Sequence, residues 1–209
     1  MTTISRRHIL TGLSATTLVS AIDMGRLSVA ADIQFDLSKP LEGWETVSGE
    51  WTIQRVPGAS RNGMGLVQSS TNNEYNVIVA PGGPYKDVQV SVRFRPIAGR
   101  EDASAGIVFR FSEGRYYLVR ANALEDNFRF YYYERGRHML GTSSVKAPAL
   151  GQWHQLQITA KGDRVQGWLN HQPLIDEHDS RFTGGRIGLW TKADSITAFD
   201  ELIVTPIES

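Results

Sequence analysis

The chain has 209 residues, with 22 lysines and arginines balanced by 22 aspartates and glutamates, and it contains no cysteine. The balanced charge leaves no basic excess of the kind that attracts nucleic acids and anionic membranes, so neither partner is expected. The absence of cysteine excludes disulfides, disulfide-linked partners, thiolate metal sites and a cysteine nucleophile.

The first thirty residues predict an export signal. Ser5–Leu10 (SRRHIL) matches the twin-arginine signature, the apolar stretch Ile9–Ile22 follows it, and Ser28–Ala30 gives the small-x-small motif of a signal-peptidase site. The apolar stretch is short for a transmembrane helix, although a retained anchor and an amphipathic helix are the alternatives. We therefore expect a twin-arginine signal peptide over residues 1–30, a mature domain over residues 31–209, a periplasmic or secreted location, and no membrane insertion after processing.

Beyond residue 30 the chain has the pattern of short strands separated by turns. Apolar or alternating runs predict strands at Ile33–Leu37, Trp51–Arg55, Leu66–Ser69, Tyr75–Ala80, Asp87–Pro96, Ser104–Ser112, Trp153–Lys161, Arg164–Asn170, Arg186–Lys192 and Ile196–Thr205. Gly136 and Gly141 punctuate a further strand pair, and Leu37–Gly43 or Asp176–Phe182 has room for one helical turn. About a dozen short strands with evenly spaced turns predict one all-β domain, either a sandwich or a barrel.

The most informative stretch is a predicted hairpin, Tyr116–Asn127 followed by Phe128–Arg135. Side chains alternate in direction along a strand, so each strand has an apolar face and an opposite face. The opposite face carries Tyr116, Leu118, Arg120, Asn122, Arg129, Tyr131, Tyr133 and Arg135. A merely solvated face would more often carry Lys, Glu, Ser and Thr, so this combination of arginine, asparagine and tyrosine predicts a binding surface.

Three arginines on successive strands extend this prediction. Arg93, Arg110 and Arg120 each lie opposite an apolar set, and they form a cluster if their strands are neighbours in one sheet. Arginine forks bind hydroxyl groups and aromatic rings stack on the C–H face of a sugar, so a sugar or glycoside ligand is expected. The alternative is an exposed sheet face whose arginine stems pack on neighbouring side chains. The predicted substrate-binding residues are Arg93, Arg110, Arg120, Asn122, Tyr131, Tyr133 and Trp190.

Trp190 is included because Ile187 and Leu189 already occupy the inward face of its strand. The other tryptophans of the mature chain are expected in the core or at its edge.

Acidic residues at the hairpin turn are the candidates for catalysis. Asn and Asp commonly form turns by hydrogen bonding nearby backbone, which alone accounts for Asn122. Glu125 and Asp126 are the best general-base candidates, or oxygen ligands for a hard cation such as Ca²⁺. No histidine pair has zinc-binding spacing, and His178 lies in a carboxylate-rich stretch that is more readily explained as a solvated loop. No metal residue is assigned, and the cofactor stays open with a divalent cation as the candidate.

Four stretches give the chain a resemblance to a known family: Ala105–Arg110 (AGIVFR), Tyr116–Asn127 (YYLVRANALEDN), Trp153–Asn170 and Gly185–Val204 (GRIGLWTKADSITAFDELIV). They resemble the concanavalin-like jelly-roll superfamily and, within it, the family called 3-keto-disaccharide hydrolase, which is related in fold to glycoside hydrolase family 16. The resemblance spans nearly the whole mature chain. It implies a jelly-roll β-sandwich of two antiparallel sheets.

One departure from family 16 limits the chemistry that the resemblance implies. That family places carboxylates in a Glu-x-Asp-x-x-Glu run, with acid and nucleophile on one strand face. Here the carboxylates come as neighbours, as in Glu101-Asp102 and Asp200-Glu201, and neighbours on a strand point to opposite faces. A retaining glycosidase with two carboxylates is therefore disfavoured.

Two functions remain from the sequence. By resemblance, the chain would cleave 3-keto-glycosides by elimination and hydration, with Glu125, Asp126 or a histidine as base and Arg120 or Arg110 at the enolate oxygen. The rival is a non-catalytic, lectin-like module that binds glycan through the same arginines and Trp190. A structural partner in a larger complex is a third and weaker reading.

Overall fold

The computed structural model describes residues 31–72 and 74–208, so the predicted signal peptide lies outside the described residues. Strands account for all of the regular structure in this part of the chain. They are β1 (Ile33–Phe35), β2 (Glu45–Ser48), β3 (Trp51–Arg55), β4 (Met64–Gln68), β5 (Tyr75–Val79), β6 (Val88–Ala98), β7 (Ser104–Ser112), β8 (Arg115–Asn122), β9 (Asn127–Tyr133), β10 (Arg137–Ser144), β11 (His154–Lys161), β12 (Arg164–Leu169), β13 (Gln172–His178), β14 (Arg186–Lys192) and β15 (Ile196–Pro206). Among these residues there is no long apolar helix of the kind that spans a membrane.

The strands form two antiparallel sheets that pack face to face. The eight-stranded sheet has the order β13-β12-β11-β6-β15-β4-β3, with β1 added on β15. The seven-stranded sheet has the order β10-β9-β8-β7-β14-β5-β2. The predicted all-β jelly-roll sandwich is thereby confirmed.

Alternating apolar side chains from both sheets fill the space between them. From β6, Val88, Val90, Val92 and Phe94 are at most 1% exposed, and the inward residues of β7 and β8 meet them. Full burial of one such side chain stabilises the fold by roughly 1.5–3 kcal/mol, so this shared core holds the two sheets together.

Side-chain hydrogen bonds also join the edges of the two sheets. On one side of the sandwich, Ser143 of β10 donates to the carbonyl of Leu174 in β13. On the other side, Trp51 of β3 donates from Nε1 to the carbonyl of Ser48 in β2 at 2.8 Å. The sheet edges are therefore tied to each other across both open sides of the sandwich.

The predicted strands agree with the structure wherever alternation is clear, and β3, β7 and β14 have the predicted bounds. Two strands were missed. Glu45–Ser48 and Gln172–His178 are edge strands with exposed polar residues, so neither shows the apolar alternation of a half-buried strand. The single helical turn considered at Asp176–Phe182 is wrong, because its first three residues belong to β13 and pair with β12.

Candidate functional site

The outer face of the seven-stranded sheet, the face turned away from the shared core, carries the polar residues of the predicted hairpin. Four residues on adjacent strands are paired in one row across this sheet: Trp190 of β14, Gly106 of β7, Arg120 of β8 and Arg129 of β9. A side chain at Gly106 would meet Leu118 Cδ1 at 2.5 Å, so glycine is what fits between the tryptophan and the arginine. The sheet register thus brings two arginines side by side at one level of this face.

Glu125 bridges these two arginines. Arg120 donates from Nη2 to Glu125 Oε2 at 2.7 Å, and Arg129 Nη1 lies 3.9 Å from the same oxygen. Asn127 also donates to this oxygen, at 3.0 Å. The glutamate comes from the β8–β9 turn, which folds its carboxylate back over the two strands that it connects.

The electrostatic surroundings keep Glu125 ionised. Burial raises the pKa of its carboxyl, but the hydrogen bonds from Arg120 and Asn127 and the charges of both arginines outweigh burial and hold the pKa below its ordinary value. The carboxylate is therefore in its basic form at neutral pH, although a carboxylate stabilised in this way is a weak base.

Tyr131 connects these residues to a third arginine. Arg129 donates from Nη1 to the Tyr131 hydroxyl at 3.3 Å, and the Arg137 guanidinium lies 4.4 Å from the centre of the Tyr131 ring. A cation over an aromatic face is attracted to it, so the ring holds Arg137 in place. We call Arg120, Glu125, Arg129, Tyr131 and Arg137 the arginine–tyrosine cluster.

Aromatic rings cover the neighbouring part of the outer face. Tyr75 of β5 and Tyr133 of β9 meet at 5.7 Å between ring centres, although three strands separate their backbones. Tyr133 stacks on Tyr116 at 4.9 Å, and Tyr75 stacks on Trp190 at 5.8 Å. Burial, with the neighbouring Glu74 carboxylate, raises the pKa of Tyr75 to about 12, so this phenol stays protonated.

Trp190 lies on the predicted outward face, but it is fully buried beneath these rings. The half-exposed rings of the face are Tyr75 and Tyr133 instead. Together with Tyr116 they line a cavity of about 430 Å³ that also reaches Phe111 and Glu74. Ligand pockets commonly have volumes of about 300–1,000 Å³, so this cavity is large enough for a sugar ring.

Asn122 and Asp126 have structural partners. Asn122 is fully buried, and its side-chain oxygen accepts from the backbone N–H groups of Leu124 at 2.9 Å and Ala103 at 3.2 Å. Asp126 is exposed and accepts from the backbone N–H of Ala147 at 2.8 Å. Asn122 therefore shapes the turn that carries Glu125, while Asp126 is tied to the loop after β10.

The expected cluster of Arg93, Arg110 and Arg120 does not form. The assumption that their strands are neighbours is wrong, because β6 belongs to the eight-stranded sheet whereas β7 and β8 belong to the other. Arg93 binds Asp200 at 3.2 Å and lies over the Trp153 ring at 4.7 Å, both outside the arginine–tyrosine cluster.

Arg110 is separated from the cluster by a bulge. It has φ of 52° where the β7–β8 register shifts, and it is 1% exposed. Its guanidinium donates to the carbonyls of Lys86, Gly162 and Phe182 at 2.7–3.2 Å. Arg110 therefore ties three loops together and turns away from the outer face.

Among residues 31–72 and 74–208, no group of three or more His, Asp or Glu side chains is arranged to hold a metal ion. His178, considered with its acidic neighbours, is part of β13 and has Nδ1 at 3.1 Å from Asp163 Oδ1.

Sequence reasoning missed two residues of this face, Tyr75 and Arg137. Tyr75 was assigned to a strand without a role, and Arg137 follows the turn Arg135-Gly136 without any motif around it. Their only sequence signal is their residue type, because the approach of β5 and β10 side chains to the hairpin is a tertiary effect.

The chain matches the model of the 3-keto-alpha-glucoside-1,2-lyase-like domain family over residues 34–204. The chain belongs to this family, in agreement with the resemblance seen in its sequence.

A curated relative and two solved structures are also similar. Levanase from Bacillus subtilis is 25% identical over 154 residues, and the match covers 71% of this chain but only 21% of levanase. The carbohydrate binding module CBM66 from Bacillus subtilis is 23% identical with a TM-score of 0.64, covering 77% of this chain and 93% of the module. Domain 4 of the GH43 arabinanase AbnA from Geobacillus stearothermophilus, solved with arabinotriose, is 13% identical with a TM-score of 0.56, covering 86% and 92%.

The family match makes the chain a 3-keto-alpha-glucoside-1,2-lyase-like domain, and the two solved structures, each below 25% identity, show that it shares their fold. The chain spans about a fifth of the length of levanase, so the activity of that whole protein is not carried over to it.

Proposed function

We propose that this chain is a carbohydrate-binding domain that holds a glycan on the outer face of the seven-stranded sheet. The observation that supports it is the arginine–tyrosine cluster beside a cavity of about 430 Å³ lined by Tyr75, Tyr116 and Tyr133. Part-exposed tyrosine rings stack on the apolar face of a sugar, while the part-exposed guanidinium groups of Arg129 and Arg137 and the Glu125 carboxylate pair with its hydroxyls. The site needs no catalytic group for this role.

The test is calorimetric titration of the purified chain with glycans suggested by the relatives, namely levan and arabinotriose, and with other neutral oligosaccharides. We expect binding to weaken about tenfold or more in Tyr133→Ala and Arg129→Gln, because each loses a direct contact. Arg164→Gln is the matched control, since Arg164 pairs with Asp176 on the other sheet. Unchanged affinity in both variants of the outer face would place the glycan elsewhere.

Family membership supports a second candidate, an enzyme that cleaves 3-keto-glycosides. A ketone at C3 acidifies the proton on C2, so a base removes that proton, the glycosidic oxygen leaves C1, and water then adds across the new C1–C2 double bond. Glu125 is the base in this proposal and Arg120 stabilises the enolate oxygen. Arg110 is not retained for this role, because its guanidinium is committed to backbone carbonyls.

The enzymatic candidate is tested by following release of the leaving group from 3-keto-glycosides and from their unoxidised parents, with and without divalent metal. Release from the keto forms alone, abolished by Glu125→Gln and kept by Glu134→Gln, supports it. Absence of release from either set, with glycan binding intact, leaves the binding domain as the function.

A further inference from the structure

We propose that the glycan bound by this domain carries carboxylate groups, as in a polysaccharide of uronic acids. The inference rests on the proposed function and adds the chemical class of the ligand to it. It is drawn from the charge and the unpartnered donors of the arginine–tyrosine cluster.

Two guanidinium groups contact Tyr131, and a third lies next to one of them. Arg137 lies over its ring at 4.4 Å, and Arg129 donates to its hydroxyl at 3.3 Å. Arg120 is the strand neighbour of Arg129 and shares Glu125 with it. Such a concentration of arginines around one tyrosine and one glutamate is unlike a solvated sheet face, where charges of both signs alternate.

The carboxylates beside these arginines do not balance their positive charge. Glu125 is the carboxylate that contacts Arg120 and Arg129, at 2.7 and 3.9 Å. Glu74 lines the cavity and is engaged by the hydroxyl of Tyr75, whose ring lies 5.5 Å from the Arg137 guanidinium. Three guanidinium groups against the carboxylates of Glu125 and Glu74 leave an excess of one positive charge in this region, although the whole chain has a formal net charge of zero.

Each of the three arginines also has a guanidinium nitrogen without a hydrogen-bond acceptor in the described part of the chain. Arg120 Nη1, Arg129 Nε and Arg137 Nη1 are buried, and no described residue accepts a hydrogen bond from them. These three atoms are themselves buried, so a ligand meets the guanidinium groups through the part-exposed side chains of Arg129 and Arg137, and a carboxylate is the acceptor whose planar geometry fits a guanidinium best. Neutral hydroxyls would accept hydrogen bonds but would leave the excess charge in place.

The cavity lies close enough to Arg137 for a bound uronic acid to bring its C6 carboxylate near that guanidinium. Arg137 lies 5.5 Å from the centre of the Tyr75 ring, which lines the cavity, and 4.4 Å from Tyr131. A pyranose ring stacked on Tyr75 would have the Arg137 guanidinium beside it, within reach of a C6 carboxylate that points toward the hairpin. Arg129 is part-exposed, so its guanidinium is accessible to the same carboxylate from the hairpin side.

The test compares oligogalacturonates with their methyl esters on the full chain by calorimetry. The two ligands share a backbone and differ in charge, so the comparison needs no variant. We expect the free acid to bind about tenfold or more tightly than the ester, and the preference to shrink as salt screens the charges. Arg129→Gln and Arg137→Gln should each reduce the preference, while Arg164→Gln on the other sheet should keep it.

Each outcome bears on a different claim. Equal affinity for acid and ester, with binding still lost in Tyr133→Ala, overturns the carboxylate inference and leaves the glycan-binding function standing. Tighter binding of a sulfated glycan than of the uronate also overturns it. Failure of every glycan, charged or neutral, to bind overturns the proposed function itself.

Discussion

At the scale of single residues, Arg110 is a charged side chain that is buried and stabilises three loops. Its guanidinium replaces water as the donor for the carbonyls of Lys86, Gly162 and Phe182. We expect Arg110→Met to lower the free energy of unfolding by about 3–5 kcal/mol, because three carbonyls lose their donor in a buried site. Urea denaturation of the parent and the variant measures this difference in unfolding free energy. Arg115→Met, which alters an exposed ion pair, should change stability by less than about 1 kcal/mol, and equal effects would contradict the anchoring role.

Glu125 gives a residue-scale prediction for pH. Its pKa is depressed in the folded chain, so the stability it contributes is present above the ordinary carboxyl pKa and is lost as the pH falls through the lower, folded value. Glu125→Gln should therefore be less stable than the parent at pH 7, by on the order of 1 kcal/mol after allowance for screening, and the difference should vanish in acid. Urea unfolding at pH 7, 5 and 3 measures it. A difference that stays constant across this range would contradict the ion pair.

At the scale of elements, the packing of β12 against the hairpin depends on one glycine. A Cβ at Gly167 would lie 2.9 Å from Phe128 Cε1 and 3.3 Å from Val119 Cγ1, both in the opposite sheet. We expect Gly167→Ala to cost about 1–3 kcal/mol of unfolding free energy, because the core aromatic has no free space to move into. Gly141→Ala is the control, since its Cβ would meet the flexible side chain of Glu177. A cost as large at Gly141 would show that strand backbone, rather than core packing, sets the penalty.

At the scale of the whole molecule, both sheets contribute to one core and no disulfide holds them. We expect a single cooperative unfolding transition, with the same midpoint by tryptophan fluorescence and by far-ultraviolet circular dichroism, in the presence or absence of reductant. Refolding should take milliseconds to seconds, because most strand pairs join distant parts of the chain. Two separated transitions would mean that the sheets unfold independently.

The sequence predicted the hairpin faces because alternation of side chains is a local property. Arg120 and Tyr131 lie on the face that was expected for them, opposite the buried Val119. The position of Arg93 could not be predicted, since nothing between β6 and β7 indicates that the chain crosses from one sheet to the other. The bulge at Arg110 could not be predicted either, because residues with positive φ are usually glycine or asparagine, and an arginine gives no such signal.

The bonds that join the sheet edges also govern how copies of this chain meet. Unpaired strand edges invite pairing with a second molecule and, from there, fibril growth. Here Ser143 and Trp51 tie the edges of one sheet to those of the other, and a bulge at Met139 interrupts β10. We expect a Trp51→Phe variant, which loses the bond to Ser48, to show aggregation at high concentration before it shows altered ligand affinity.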